Sequence, residues 1–456
     1  MKRSKYIVVH LLLACVVLSG CDKYLDITPK GKTLLTTTTH YDQWLNDEAL
    51  AVGVAPPTGV ISYLNDNVDV LNISNPPTQA AELVYTWGEQ FSVDINEPPL
   101  FWGDHYGKIN LFNTVLVGID NATGGTAAQR KTLKAEALLG RALEYFYLMN
   151  EYCQPYDQAT AASNPGVPFV TSNDITQSVP PRGTLQELYN RIVADITAAI
   201  PDLPLDNSAN RFRGSVAAGY SLLSRVYFYA RNYALAKTYA DLALANTRAT
   251  MVNYNGALPL SNLVSTHPDV IYGRQILGNI TPTLTLLRTF ANNDLRLRIF
   301  YRSSDGYTFT TRAATVFLPQ IITPVFTYIN SGTSVQEMKL IAAECAARAN
   351  DLPAALQYLD DVRKNRMPAA TYVRYSSAVQ EAVLQEVLLE RGRELPFNGL
   401  RWFDMRRLDQ ENRMGTVTRI NAQGGVIATL EPHSKRYTLQ IPYQVMSFNP
   451  DMQQNP

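Results

Sequence analysis

Cysteine is scarce in this 456-residue chain: Cys15, Cys21, Cys153 and Cys345 are all it has. Four residues at these spacings make neither a disulfide framework nor a zinc-ligand pattern. Cys153 and Cys345 fall in helix-like segments and read as two buried free thiols, with one long-range disulfide as the alternative. Net charge is also missing, with 40 Lys+Arg against 40 Asp+Glu. No strong field therefore draws the chain to nucleic acid or anionic lipid. Beyond residue 20 no apolar run reaches transmembrane length. Histidine is sparse as well. His40, His105, His267 and His433 are scattered, and each reads as a surface or hydrogen-bonded side chain rather than a metal ligand. There is no Gly-x-Ser-x-Gly, phosphate loop, His-Glu-x-x-His or dinucleotide fingerprint, so no catalytic residue, metal or cofactor is implied. Asn65, Asp66, Asn67 and Asp69 are faintly similar to a calcium loop, but its glycine and closing glutamate are absent.

What is present starts at the N-terminus. Lys2, Arg3 and Lys5 precede an apolar run from Ile7 to Leu18, and Leu18-Ser19-Gly20-Cys21 follows. A charged start, a short apolar core and small residues before a cut make a secretory signal, residues 1–20. Cys21 after Leu-Ser-Gly resembles a bacterial lipobox, which implies cleavage before Cys21 and lipid on its sulfur. An ordinary signal with an incidental cysteine is the alternative. Acyl chains contribute about 0.8 kcal/mol per buried CH₂ and so hold a soluble domain on a membrane.

The chain is 46% hydrophobic, enough for a large core. Residues 21–101 read as an N-terminal arm and loop region. Helical spacing begins at Trp102, Tyr106, Ile109 and Asn113 and continues in a helix from about Thr126 to Tyr152. Thr184-Leu185-Gln186-Glu187 is a capping box that opens a helix ended by Pro201 and Pro204. Two segments read as helix-turn-helix units. One is Gly214 to Ala245, broken at Arg231-Asn232-Tyr233. The other opens at the capping box Ser334 to Glu337 and breaks at Asn350 to Pro353. On a tetratricopeptide frame, Tyr227, Tyr233, Ala236, Ala243, Ala343 and Ala355 fall on favoured positions; generic helix hairpins are the alternative. The expected fold is mostly α, a tetratricopeptide-like repeat scaffold over 102–249 and 333–456. Residues 250–332, rich in Pro, Asn, Thr and aromatics, form an inserted loop-rich lobe, and loops on a rigid scaffold are where binding residues concentrate.

A third capping box, Ser377 to Gln380, opens a helix that runs into Glu390-Arg391-Gly392-Arg393-Glu394-Leu395-Pro396-Phe397-Asn398-Gly399-Leu400-Arg401-Trp402-Phe403-Asp404-Met405-Arg406-Arg407. The pattern reads as a helix–turn–helix corner pinned by Arg–carboxylate pairs over Phe397, Trp402 and Phe403. The catalytic alternative would use Glu390, Glu394 and Asp404 as acid and base. The crowd of arginines keeps such carboxylates ionised and argues against it.

This run resembles the hallmark of SusD/RagB-family outer-membrane lipoproteins. Cys21-Asp22-Lys23-Tyr24-Leu25-Asp26 resembles that family's mature N-terminus. Trp102, Tyr106, Ile109 and Asn113 match its first repeat helix. Tyr437 to Pro442, Asn449-Pro450 and Gln454-Asn455-Pro456 resemble its C-terminal signature, without the usual final glycine. The resemblance implies a non-enzymatic binding protein facing the exterior of a Gram-negative outer membrane. It would capture oligosaccharide, or in some members peptide, for a SusC-like TonB-dependent transporter. A surface-anchored glycoside hydrolase and a protein-binding repeat scaffold are the competing classes.

Aromatic residues are plentiful, with 26 Tyr, 15 Phe and 4 Trp. Those in loop-like segments suit stacking on sugar rings. Trp87 is the first candidate ligand residue. Tyr272, Tyr301 and Tyr307 in the inserted lobe are the second group. For each of them, packing in the core is the competing reading.

Overall fold

The structure is a computed structural model and describes residues 35–52, 60–92, 94–259, 263–278, 280–319 and 328–456. Cys21 and the signal segment lie outside the described residues.

Nine helices carry the scaffold: α1 (Trp102–Gly118), α2 (Ala127–Tyr152), α3 (Leu185–Ala199), α4 (Val216–Tyr229), α5 (Tyr233–Asn246), α6 (Val335–Arg348), α7 (Leu352–Arg363), α8 (Gln380–Glu394) and α9 (Arg401–Asp409). Their starts follow local chemistry. Thr126 and Gln129 form a reciprocal capping box at α2, and Thr184 and Glu187 form one at α3. Ser334 caps α6 through the Glu337 amide, but the Glu337 side chain does not reach back. It takes two hydrogen bonds from Arg225, at 2.8 and 2.6 Å, with both side chains fully buried. The third expected capping box does not form. Val379 occupies the N-cap of α8 without a side-chain bond, and the Gln380 amide instead donates to the carbonyls of Ala347 and Arg348.

The helices stack in order. α1 packs on α2 and α2 on α3; α4 pairs with α5 and α6 with α7. α5 also lies against α6 although the inserted stretch separates them in sequence. The two hairpin turns share a geometry: Arg231 and Asn350 both have φ 60°, and Asn232 and Asp351, with nearly equal dihedrals, cap the following helix. Ala236, Ala243, Ala343 and Ala355 are fully buried where these helices meet, as expected where paired helices approach closely. At the α1–α2 contact a Cβ on Gly140 would overlap the Phe112 ring, so this approach needs glycine.

Between α5 and α6 the chain forms short antiparallel ribbons rather than open loop. β3 (Val270–Tyr272) pairs with β8 (Thr333–Ser334), β4 (Gln275–Leu277) with β7 (Tyr328–Asn330), and β5 (Tyr301–Ser303) with β6 (Thr315–Phe317). Two more ribbons, β1–β2 (Pro165–Pro168, Arg182–Thr184) and β9–β10 (Val417–Ile420, Val426–Leu430), complete the described strands.

The Glu390–Arg407 run is a structural corner. Phe397, Trp402 and Phe403 are buried beneath it. Arg391 binds Asp404 at 2.9 Å, Arg407 binds Glu344 at 2.5 and 3.1 Å, and Arg296 and Arg366 converge on Glu394. Arg406 is the exception. Its guanidinium donates to the carbonyls of Asn150 and Cys153 on α2 and the residue after it. Cys153 and Cys345 are separate buried free thiols, and burial pushes the Cys153 thiol up to about 12.

Candidate functional site: a polar cleft beside the corner

A cleft of about 930 Å³ opens beside the corner. Its walls come from the 66–69 turn and Tyr85, residues 283–289 and Arg312, one side of α8, Arg401 and Leu408 of α9, and β9 with the segment before it. Thr285, Gln385, Leu389, Asn412, Thr416 and Thr418 are exposed in it, and Asp66, Arg312, Glu386, Arg401 and Arg413 are half-buried.

Each charge on the wall is held in place. Arg401 donates two hydrogen bonds to Asp66, at 2.7 and 2.6 Å. Burial alone would raise the Asp66 carboxyl, but Arg401, aided by Arg419, outweighs it and holds the group below its ordinary range. Arg312 grips Asp69 in the same way, at 2.9 and 2.5 Å, and donates to the Asn421 carbonyl at 2.7 Å. Glu386 accepts from Arg363 at 2.6 Å and Arg393 at 3.3 Å. Arg413 grips Glu381 at the rim, at 2.6 and 3.0 Å. Both carboxylates of the calcium-like quartet are thus committed to guanidinium groups.

Beneath the wall lies Arg419, 2% exposed. It donates to the carbonyls of Tyr63, Asn65, Val68 and Tyr85 and has no carboxylate partner. Its guanidinium lies 4.1 Å from the centre of the Tyr85 ring and 4.4 Å from that of Trp87. Burial lowers its pKa to about 10, so it stays protonated at neutral pH. This clamp fixes the 63–69 turn that carries Asp66 and Asp69.

The sequence reading expects solvent-facing rings at Trp87, Tyr272, Tyr301 and Tyr307. The structure corrects this for three of them. Trp87 is 2% exposed and donates its indole N–H to the Leu64 carbonyl at 2.9 Å. Tyr272, also 2% exposed, takes a hydrogen bond from Arg274 at 2.6 Å and carries that guanidinium over its ring. Tyr301, 1% exposed, packs against Phe290 and Phe317. Tyr307 is half-buried, with Arg298 3.6 Å from its ring centre and its hydroxyl donating to the Tyr301 carbonyl at 3.1 Å. Tyr301 and Tyr307 therefore adjoin, while Trp87 belongs to the Arg419 clamp and Tyr272 to Arg274.

The cleft residues Arg312 and Gln385 escape sequence reasoning, and Asp66, Asp69 and Arg401 enter it only under other roles. The clustered Asn and Asp at 65–69 were the one usable signal. Chemically the cleft offers fixed carboxylate lone pairs, guanidinium N–H groups, amides and hydroxyls, with Leu284, Leu388, Leu389 and Met414 between them. That combination suits a ligand with many hydroxyls and apolar ring faces. A glycosidase needs a carboxyl kept protonated, whereas Asp66 is held ionised and Glu386 is doubly paired.

Residues 23–228 match a family model described as starch-binding, associating with the outer membrane, and residues 336–456 match the SusD family model. The chain belongs to the SusD/RagB family, whose members are non-catalytic nutrient-binding proteins. Its fold is similar to that of a SusD superfamily protein from Bacteroides thetaiotaomicron. That structure has a TM-score of 0.75 at 20% identity, over 92% of this chain and 100% of the other. A putative sugar binding protein from Bacteroides vulgatus gives 0.71 at 22% identity, over 93% and 99%. Surface glycan-binding protein A from Bacteroides uniformis gives 0.69 at 17%, over 92% and 99%. No curated protein matches the chain. No helix among the described residues is long and apolar enough to cross a membrane.

Proposed function

We propose that this chain is a surface-exposed outer-membrane lipoprotein, anchored through lipid on Cys21, that binds an oligosaccharide and delivers it to a SusC-like TonB-dependent transporter. The observation that carries the reading is the cleft: about 930 Å³, lined by fixed polar groups of both signs with apolar side chains between them. Balanced charge favours a neutral glycan. Residues 250–332 are the proposed variable lobe, supplying Thr283, Thr285 and Arg312 to the cleft. Tyr307, half-buried, stays a proposed ligand contact. The membrane arm is tested by Cys21→Ala, which should move the protein from the membrane to the soluble fraction and abolish labelling by a lipid probe. Unchanged labelling refutes the anchor. The ligand arm is tested by a glycan and peptide array probed with the purified protein. Oligosaccharide binding supports the reading, and binding confined to peptides replaces glycan by peptide.

A further inference from the structure

Three large apolar side chains are open to solvent where two distant parts of the chain join: Ile95 is 39% exposed, Tyr443 52% and Phe448 72%. Exposed apolar residues scattered singly are ordinary, but these sit on one connected surface. The short helix Tyr443–Phe448 is fastened to the 89–100 segment. The Gln444 amide donates to the Ile95 carbonyl at 2.6 Å, the Tyr443 N–H to the Gln90 side chain at 2.9 Å, and the Gln90 amide to the Ile441 carbonyl at 3.1 Å. Phe448 follows Gln444 by one helical turn, so it lies on the side of the helix whose amide holds Ile95. Val445 and Met446 pack against the main core. The surface is therefore fixed before anything binds it, which lowers the ordering cost of association.

Its surround is acidic. Glu89, Asp94 and Glu97 are exposed, line a shallow recess with Tyr443, and have no ion-pair partner among the described residues. Residues 89–104 also carry Asp104, residues 440–456 carry Asp451, and neither stretch holds a Lys or Arg. Arg182, which reaches the C-terminal tail, is committed to the Gln453 carbonyl and the Asn455 side chain, at 2.6 and 2.8 Å. The recess measures about 20 Å³, room for little more than a water, whereas sugars and other small ligands take far larger concave sites. An anionic lipid surface would repel the carboxylates. Exposed aromatic side chains inside a charged rim have the make-up of a protein interface. The sign of the rim calls for lysine or arginine across it.

We propose that this face, Ile95, Tyr443 and Phe448 ringed by Glu89, Asp94 and Glu97, docks the chain onto its transporter against a loop of the barrel that carries lysine or arginine. The assignment rests on the transporter reading above and names the surface that reading leaves open.

The test uses cells that make the full chain together with its transporter. Phe448 is replaced by the photo-cross-linker p-benzoylphenylalanine, and the adduct is identified by mass spectrometry. The adduct should be a barrel peptide that contains Lys or Arg. The triple variant Glu89→Lys, Asp94→Lys, Glu97→Lys should cut the cross-link yield about tenfold or more, since like charges facing each other across an interface are strongly unfavourable. Neutralisation by Glu89→Gln, Asp94→Asn, Glu97→Gln should cut it less. Both triple variants should keep the wild-type melting temperature and the wild-type affinity for the array-selected oligosaccharide, because the exposed carboxylates hold no fold contact. The proposal is overturned if the barrel co-purifies with the chain but the adduct is a second copy of this chain, another protein or nothing. It is also overturned if charge reversal leaves the yield unchanged, or if it weakens oligosaccharide affinity and so marks a sugar surface. A barrel that fails to co-purify with the wild-type chain refutes the transporter reading itself, and this assignment with it.

Discussion

Truncating Trp87 to alanine should unfold part of the N-terminal region rather than merely weaken ligand binding. The side chain is 2% exposed in the main core cluster, and removing a buried Trp typically costs about 3–5 kcal/mol. Two specific losses are contained in that figure. The indole N–H bond to Leu64 is worth about 1 kcal/mol. The face against Arg419 is worth up to about 2 kcal/mol when desolvated. A second variant sharpens the reasoning. Trp87 has φ 53°, where a side chain carries about 1–2 kcal/mol of backbone strain. Trp87→Gly should therefore be no less stable than Trp87→Ala, the reverse of the usual order at helix and strand positions. Urea denaturation of both variants beside wild type reads the effect as a shift in midpoint. Unchanged midpoints with lost oligosaccharide affinity would refute the clamp and return Trp87 to a binding surface. A glycine variant well below the alanine variant would refute the strain argument.

Two further outcomes follow from the buried charges. Arg407→Ala removes the guanidinium shared by Glu344 and Asp404 at a site where Arg407 is 1% exposed, while Arg348 still pairs with Glu344 and Arg391 with Asp404; the cost should be about 3 kcal/mol, the low end for breaking a buried pair, read as a lowered denaturation midpoint, and normal stability with lost binding would make the corner functional instead. His105 lies between Glu144 at 2.7 Å and Glu151 at 3.3 Å; burial lowers its pKa, but the two carboxylates outweigh burial and raise it from 6.5 to about 9. Because the folded value is the higher one, this stabilisation is complete below 6.5 and is lost as pH rises through about 9, about 3 kcal/mol in all. A denaturation midpoint as flat across that window as in His105→Gln would contradict it.

The scaffold was legible because its signals are local. A Thr with Glu or Gln three residues on, an alanine where paired helices meet, and a φ-positive turn before an Asn or Asp cap are all written within a few positions. Cys153 and Cys345 read as buried thiols for the same reason. The ribbons between α5 and α6 were not legible, since strands of two or three residues carry no period. The site was mostly hidden because its partners are distant. Arg401 is 335 positions from Asp66, and Arg419 is 334 from Tyr85. Glu337 looked like a local cap and is instead the partner of Arg225, 112 positions away. Trp87 follows a short helix in a polar, loop-like stretch and looked exposed for want of any nearby apolar stripe. The guanidinium that covers it belongs to β9.

The central claim is that the cleft beside the corner is where the nutrient is held. A crystal structure of the protein with its array-selected oligosaccharide tests this most directly. The account predicts sugar density between α8 and residues 283–289, with hydroxyls bonded to the Asp66–Arg401 and Asp69–Arg312 pairs and to Gln385. Ligand density on another face of the molecule, with only solvent in the cleft, would contradict it.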